Sequence, residues 1–360
     1  FKTMLFNILP KRIITYIFKY LNIKDILNIS ETSRYFYYDI FIKIAYKLYN
    51  IENFKLQYMI LKKNKISFGI HKFEFTQLNN LRRIHLNNSN IKTLPDFINL
   101  PLLIYLNLGY NQIEHVPDFT NLPMLKYLEL NNNQIKHVPN FINLPLLDYL
   151  NLNNNQIEII HGFTNLHMLR KLYLNNNKIK YIPNFNNLPI LKILSLNRNQ
   201  IKYIPDFNNL PILKILELYD NQIKILPNFT NLRVLKYLCL SYNRIKIIPN
   251  FNNLPMLKEL ELYNNQIKIL TNLTNLLILE SLNLSNNQIE IIHGFNLPML
   301  KRLWLDNNQI KILSNFTNLS MLEYLCLNNN QIETIPNFIN SPMLKTLYLN
   351  DNQIKIMPDF

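Results

Sequence analysis

Few of the residue types that usually carry chemistry occur together in this 360-residue chain. Its four glycines lie far apart, whereas a phosphate-binding loop needs several within a few residues, which excludes nucleotide sites of the Rossmann and Walker types. Cys239 and Cys326 lie 87 residues apart with no Cys or His nearby, which excludes a disulfide framework and a zinc module. His161 and His293 stand alone, and no Ser/His/Asp set or carboxylate pair has catalytic spacing. We therefore expect no catalytic residue, cofactor, metal ligand or enzymatic activity.

Aromatic and acidic side chains that could bind a partner do recur at a fixed interval. Tyr and Trp are favoured anchors of protein interfaces, because they offer a large contact area that is both apolar and polar. Any one of these tyrosines could instead serve chiefly to pack on its neighbour, and the sequence leaves that alternative open. Tyr110 and Tyr242 occupy a further outward position of the same pattern. The partner-binding residues that we predict are Tyr105, Tyr127, Glu129, Tyr149, Tyr173, Glu217, Tyr219, Tyr237, Glu261, Tyr263, Trp304, Tyr324 and Tyr348.

An internal repeat predicts the elements that position these side chains. The pattern L-x-x-L-x-L-x-x-N-x-I recurs thirteen times with a period of 22 residues, shortened once to 21. Within one unit, alternation directs Leu128 and Leu130 inward and Tyr127 and Glu129 outward, which is typical of a half-buried strand. Each unit therefore predicts one short parallel strand. The first Leu of the pattern lies at positions 81, 103, 125, 147, 169, 191, 213, 235, 257, 279, 300, 322 and 344.

Three further positions of the repeat predict structural roles. An Asn at the end of each strand can turn inward and hydrogen-bond the backbone of adjacent turns, as in the series from Asn111 to Asn352. Prolines of the return segment favour an extended or 3₁₀ backbone and exclude a long helix. Two residues later, a Phe recurs from Phe97 to Phe360, with Leu273 as its one replacement. These rings predict a stacked aromatic spine.

Residues 81–360, with the written-out unit LKxLxLNNNQIKxIPxFxNLP, resemble the leucine-rich-repeat family. The match is to the 22-residue subclass found in intracellular phosphatase regulators and bacterial internalins. The resemblance implies an α/β solenoid, a right-handed horseshoe with its parallel strands on the concave face. We expect that concave face, rich in Tyr and Asn and slightly acidic, to bind a protein target.

A row of lysines follows the Ile of the repeat, from Lys92 to Lys355, and is interrupted by Glu114, Glu158, Glu290 and Glu333. Such a row could contact an acidic partner or a phosphate backbone, although a solvated edge is the commoner outcome. Few arginines and no base-stacking platform accompany it, so we expect no nucleic-acid partner. The sequence has no apolar run of about 18 residues or more, so we expect no membrane span.

The first 80 residues differ from the repeats and carry 13 basic and 5 acidic side chains. Apolar residues at helical spacing predict three short helices over residues 1–49, followed by a connector or N-terminal cap over residues 50–80. The strings Leu9-Pro10 to Leu27 and Thr32 to Phe36 resemble an F-box, although Arg12 stands at a usually acidic position. This resemblance implies docking on a Skp-type adaptor, and the residues that would make that contact are Leu9, Pro10, Ile13, Ile17, Leu21, Ile26 and Leu27.

Taken together, the two resemblances imply a protein–protein interaction module. It would act as the substrate-recognition subunit of a Skp-cullin-F-box type cullin-RING ubiquitin ligase. The alternative is a leucine-rich-repeat binding scaffold, similar to the phosphatase regulators, in which residues 1–49 only cap the first repeat. The 61 asparagines and the single alanine indicate A/T-biased codons, similar to those of giant amoebal DNA viruses. We therefore expect a cytoplasmic protein, in the host cytoplasm if the chain is viral.

Overall fold

The structure is a computed structural model that describes residues 82–94, 100–161, 163–249, 251–270, 273, 275–292, 296–313, 319–335 and 341–356. The helices expected over residues 1–49, the seven predicted adaptor-binding residues and the connector over residues 50–80 lie outside these ranges. The described repeats form a solenoid of stacked turns, each contributing a short strand to one parallel sheet. Within the described ranges, no helix is long and apolar enough to cross a membrane.

Sixteen strands make up the described secondary structure. Thirteen of them form one parallel sheet in the order β1 to β9, then β11, β13, β15 and β16, while β10, β12 and β14 form a second sheet. Their bounds are β1 Arg83–His85, β2 Tyr105–Asn107, β3 Tyr127–Glu129, β4 Tyr149–Asn151, β5 Lys171–Tyr173, β6 Ile193–Ser195, β7 Ile215–Glu217, β8 Tyr237–Cys239, β9 Glu259–Glu261, β10 Ile269–Leu270, β11 Ser281–Asn283, β12 Ile291–Ile292, β13 Arg302–Trp304, β14 Ile312–Leu313, β15 Tyr324–Cys326 and β16 Thr346–Tyr348.

The register of the large sheet follows the period of the sequence. Tyr127 pairs with Tyr149, 22 residues on, and the step drops to 21 only where Ser281 pairs with Arg302, across the shortened repeat. The central residue of a strand points into the solenoid, as shown by Leu128, which is 0% exposed. Its neighbours Tyr127 and Glu129 point outward. This alternation confirms the prediction of one half-buried parallel strand per repeat.

Phenylalanines pack as a spine beneath the return segments. Phe141, Phe163 and Phe185 are at most 1% exposed, and the rings of Phe163 and Phe185 stack with centroids 6.3 Å apart. The predicted aromatic spine is therefore confirmed for these repeats. The sequence did not predict that Phe185 has φ of 45°, in the left-handed region that side chains other than glycine rarely adopt. Burial of the ring offsets the cost of this backbone conformation, which is of the order of 1 kcal/mol.

The Asn side chains at the ends of the strands form hydrogen bonds between successive turns. Asn199 is 9% exposed, and its Nδ2 donates to the carbonyl oxygens of Leu174 and Leu196, both at 3.0 Å. Its Oδ1 accepts from the amide of Ile179, also at 3.0 Å. The same bonds recur in neighbouring turns, for example at Asn221. The predicted inward-turning amide ladder is confirmed, and its bonds tie each turn to the one before it.

The return segments form a second ladder that the repeat pattern did not predict. Besides β10, β12 and β14, single bridges join Thr93 to His115, His115 to His137, and Thr334 to both Ile312 and Ile356. The backbone here is extended, which was one of the two return geometries expected. Where it forms, the pairing joins one residue of a turn to the same position in the next turn, and this ladder is separate from the large sheet.

Candidate binding site on the outer face of the sheet

The predicted partner-binding residues all lie on the outward surface of the large sheet, which we call the sheet face. Tyr105, Tyr127, Tyr149, Tyr237 and Tyr324 are the first residues of their strands, and Glu129, Tyr173, Glu217, Glu261, Trp304 and Tyr348 are the third. Tyr219 and Tyr263 lie two residues beyond β7 and β9. All thirteen are half-buried or exposed. The alternation of the strands therefore places the whole set on one surface of the solenoid.

The first part of the sheet face is a row of contacting tyrosine rings. Ring centroids are 6.2 Å apart for Tyr105 and Tyr127, 6.1 Å for Tyr127 and Tyr149, and 5.4 Å for Tyr149 and Tyr173. The planes are tilted, an arrangement that aromatic quadrupoles favour. Each ring therefore packs on its neighbour and still leaves surface for a partner, so both roles considered from the sequence are geometrically compatible.

A tight aromatic cluster interrupts the middle of the face. Tyr242 wedges between Tyr219 and Tyr263, with edge-to-face geometry and centroids 5.1 and 5.3 Å away. Tyr242 reaches this position from a turn at φ of 54°, a conformation that Asn adopts in most other repeats. The guanidinium of Arg198 lies 5.8 Å from the Tyr219 centroid, within cation–π range. Tyr242 thus belongs to the face, although it comes from a turn and not from a strand.

A third aromatic group lies on the last strands of the sheet face, β13, β15 and β16. Trp304 packs on Tyr324 at 5.4 Å, and Tyr324 packs on Tyr348 at 5.6 Å. Arg302 lies over the Trp304 ring at 5.9 Å. The three groups make a discontinuous aromatic surface along the sheet, held by rigid strands, which lowers the entropy that binding must overcome.

Hydrogen bonds within the face hold its carboxylates in place. Glu129 accepts hydrogen bonds from the hydroxyl of Tyr105 at 3.5 Å and from the amide of Asn151 at 3.3 Å. Glu217 accepts from the hydroxyl of Ser195 and from Asn197. Tyr105 was among the predicted site residues, whereas Asn151, Ser195 and Asn197 were not. Their outward position in the strand and turn of each repeat is the sequence feature that could have identified them.

Tyr237 on β8 and Glu261 on β9 lie in a desolvated part of the face. Burial, and next the nearby Cys239 thiol, raise the pKa of Tyr237 above its ordinary value. Burial also raises the pKa of Glu261, although a hydrogen bond from Asn283 opposes that shift. In the adjoining aromatic cluster, burial raises the pKa of Tyr263 to about 12. These phenols are neutral at physiological pH and can donate hydrogen bonds to a partner.

The two cysteines are free, and both are buried. Burial raises the pKa of both thiols, so neither has the lowered pKa of a reactive cysteine. Among the residues that the structure describes, no group of three or more His, Cys, Asp or Glu side chains is placed to hold a metal ion. The groups that converge on the face are aromatic rings, amides and carboxylates, which suit recognition of a protein surface.

Comparisons with known sequences assign both regions of the chain. Leucine-rich-repeat family models match residues 80–135, 167–209, 233–275, 279–297 and 320–360. The F-box domain model matches residues 6–38, so the resemblance noted there is confirmed. A comparison with curated protein sequences gives no significant match.

Solved structures share the fold of the repeats. A leucine-rich-repeat protein of Leptospira interrogans is 33% identical, with a TM-score of 0.73 over 80% of this chain and 76% of that one. An internalin of Listeria monocytogenes is 28% identical, with a TM-score of 0.70 over 84% and 91%. A plant peptide hormone receptor, solved in complex with RGF2, is 26% identical, with a TM-score of 0.65 over 80% and 50%. The chain belongs to the leucine-rich-repeat family, and an F-box domain precedes its repeats.

Proposed function

We propose that the chain is the substrate-recognition subunit of a Skp-cullin-F-box type cullin-RING ubiquitin ligase. An F-box domain followed by leucine-rich repeats is a protein-interaction module. The observation that carries the proposal is the presence, in one chain, of an adaptor-docking family match and a long preorganised binding face. The F-box would hold a Skp-type adaptor through the seven predicted contact residues, while the sheet face holds the protein that is to be modified.

The sheet face supports a protein target of particular chemistry. Tyr237 and Glu261 lie in a desolvated part of it, and burial disfavours the charge on Glu261. A lysine or arginine of a bound protein would restore favourable electrostatics there and would lie beside the aromatic cluster around Tyr242. The similarity to a plant receptor solved with RGF2 supports the use of this fold for holding a partner.

In this proposal the chain performs no chemistry itself and acts in the cytoplasm, where the ligase works. That compartment is the host cytoplasm if, as the A/T-biased composition suggests, the gene is viral. The step of 22 residues in the strand register supports assignment of the repeats to the 22-residue subclass.

A second candidate is a leucine-rich-repeat binding scaffold, similar to the phosphatase regulators, with no ligase link. The observation that favours it is that the sheet face is built entirely from residues of the repeats. Target binding therefore needs no contribution from the F-box segment, and the two candidates differ only in what residues 1–49 contact.

The deciding experiment is co-purification of residues 1–360 with a Skp-type adaptor. We compare the wild type with a Leu9→Ala, Pro10→Ala double variant, and use Tyr237→Ala on the sheet face as the matched control. We expect the wild type and Tyr237→Ala to retain the adaptor and the double variant to lose it, with circular dichroism unchanged in all three. If the wild type does not retain the adaptor, the ligase proposal is wrong and the scaffold stands.

Target binding is tested separately by capture from host extract. We expect the wild type to bind a target protein. The control variant Met256→Ala, which changes an exposed side chain outside the sheet face, should bind the same target. Tyr237→Ala should release the same target, because its ring lies in the desolvated patch. A target held equally by all three would bind elsewhere on the chain, which would contradict the proposed use of the sheet face.

A further inference from the structure

A second surface, away from the sheet face, exposes a row of large apolar side chains. They occupy the return-segment position of successive repeats, and their exposed fractions run from 48% to 77%. Together they expose on the order of 800 Å², more than the few hundred Å² that a monomer ordinarily shows as one patch. We call this row the stripe, and its members are Ile159, Tyr181, Tyr203, Ile225, Ile247, Ile269, Ile291 and Ile312.

The fold does not require apolar residues at this position. Thr93 and Thr334 occupy it in outer repeats, and both form backbone bridges of the return ladder. His115 and His137 also occupy it and join the same ladder. Thr has the same β-branched preference for extended backbone as Ile, so strand propensity alone does not explain eight consecutive apolar residues. The stripe is therefore a feature of this surface that local structure leaves unexplained.

Basic side chains border the stripe along its length. One residue before each of six members is an exposed lysine, while Glu158 and Glu290 precede the other two. Within the described residues none of the six lysines forms an ion pair. By contrast, Lys355 in the same column pairs with Glu333 at 2.7 Å. Like charges on neighbouring turns repel one another, and an acidic partner would relieve that repulsion. The six are Lys180, Lys202, Lys224, Lys246, Lys268 and Lys311.

A groove opens in the middle of the stripe. Its volume is about 770 Å³, and its lining combines apolar side chains with basic ones. The return ladder is interrupted here, since described residues 163–249 form no strand or bridge at the stripe position. The lining residues are Lys224, Ile225, Leu226, Arg244, Lys246, Ile247, Pro249 and Gln266.

We propose that the stripe and its lysines bind an acidic amphipathic helix of a partner protein. A helix repeats every turn of about 5.4 Å. Neighbouring solenoid turns lie about 4.8 Å apart where their strands pair, and the stacked rings of Phe163 and Phe185 on the return side lie 6.3 Å apart, so the helical repeat falls between the two spacings and one apolar residue per helical turn can face one repeat. Against either spacing the mismatch over four repeats is about 2–3 Å, which side chains can absorb. Glu and Asp beside the apolar face of the helix would meet the lysine column. A lipid bilayer has no projecting ridge to fill the groove, which favours the helix.

The proposed surface uses neither the predicted adaptor residues nor the sheet face, so its test is independent of theirs. The probe is a synthetic peptide of about 18 residues, long enough for five turns, with Leu along one helical face and Glu beside it. Binding to residues 1–360 is followed by fluorescence anisotropy, and helix formation by circular dichroism. The variants are Ile225→Thr with Ile247→Thr, which copies the residue of the outer repeats, and Lys224→Glu with Lys246→Glu. Tyr237→Ala on the sheet face is the matched control.

We expect the peptide to become helical on binding, and the double Thr variant to bind at least about tenfold more weakly because two apolar contacts are lost. The charge-reversed variant should lose the Glu peptide and gain a peptide that carries Lys in place of Glu. Tyr237→Ala should bind as the wild type does. The proposal is overturned if a scrambled peptide of the same composition binds equally, if the double Thr variant keeps its affinity, or if phosphatidylserine vesicles bind where the peptide does not.

Discussion

Removing one buried amide should weaken the solenoid by an amount that the hydrogen-bond network predicts. In Asn199→Ala, the amide of Ile179 loses its side-chain acceptor, which lies 3.0 Å away. The carbonyl of Leu196 keeps one donor, because Asn221 also donates to it at 3.0 Å. Leu174 likewise keeps a hydrogen bond from Asn177. One orphaned buried N–H group and two weakened carbonyls together cost about 3 kcal/mol.

Because Asn199 and Asn221 both donate to the Leu196 carbonyl, a more specific prediction follows for pairs of substitutions. Asn199→Ala combined with Asn221→Ala leaves the Leu196 carbonyl with neither of its amide donors, so their combined cost should exceed the sum by about 1 kcal/mol. Asn199→Ala combined with Asn287→Ala, four repeats away, shares no carbonyl and should be additive.

The assay is urea unfolding followed by circular dichroism, with hydrogen exchange to locate the loosened turns. Asn121→Ala, at an exposed asparagine, is the control and should change the free energy of unfolding by less than about 0.5 kcal/mol. The reasoning is refuted if Asn199→Ala is no worse than the control. It is also refuted if the adjacent and distant pairs show the same coupling.

Three further predictions address the spine, a surface carboxylate and a thiol. Phe185→Ala should lower the free energy of unfolding by about 3–5 kcal/mol, and Phe185→Leu by about 1 kcal/mol, since the ring is 1% exposed; urea unfolding measures both, and equal losses would contradict a packed spine. Hydrogen bonds from Lys258 and Lys301 lower the pKa of Glu280 from 4.5 to about 2. Its contribution to stability is thus fully present above pH 4.5 and is lost as the pH falls through about 2. The stability difference between wild type and Glu280→Gln should therefore shrink below pH 4.5 and disappear only below pH 2 in acid-titrated unfolding curves, and a difference independent of pH would rule this out. Burial raises the pKa of Cys239, which is 7% exposed, so a disulfide reagent should modify it slowly in the folded protein and rapidly in urea, and equal rates would disprove its burial.

Much of the sheet face could be predicted because the positions of its residues follow the period of the repeat. A residue such as Tyr127 faces outward for the same reason in every repeat, namely that side chains alternate along a strand and the register steps by one repeat. What could not be predicted is which neighbours meet. The packing of Tyr242 between Tyr219 and Tyr263 depends on a turn with positive φ. Asn usually occupies this position of the repeat, and a Tyr there does not indicate that backbone conformation.

The return segments show the same division. The spacing of Pro and Phe predicted an extended or 3₁₀ return path and a buried aromatic spine, because proline restricts φ and a large apolar ring must be buried. The left-handed φ of Phe185 arises only from packing, since the stacked rings hold a backbone that the isolated residue disfavours. In the sequence, a stripe residue such as Ile225 likewise resembles an ordinary strand residue next to a lysine, so the pattern did not predict an exposed apolar row.

The sequence by itself determined the number of repeats, the strand in each of them, and which residues line the core, since a period of 22 residues and strict alternation admit few other ways to bury the leucines. Only the tertiary structure decided the contacts between residues 22 positions apart on one surface. The aromatic clusters, the shared carbonyls of the Asn ladder and the groove beside Ile247 exist because successive turns stack. Their distances follow from the stacking of the turns, which no single repeat contains.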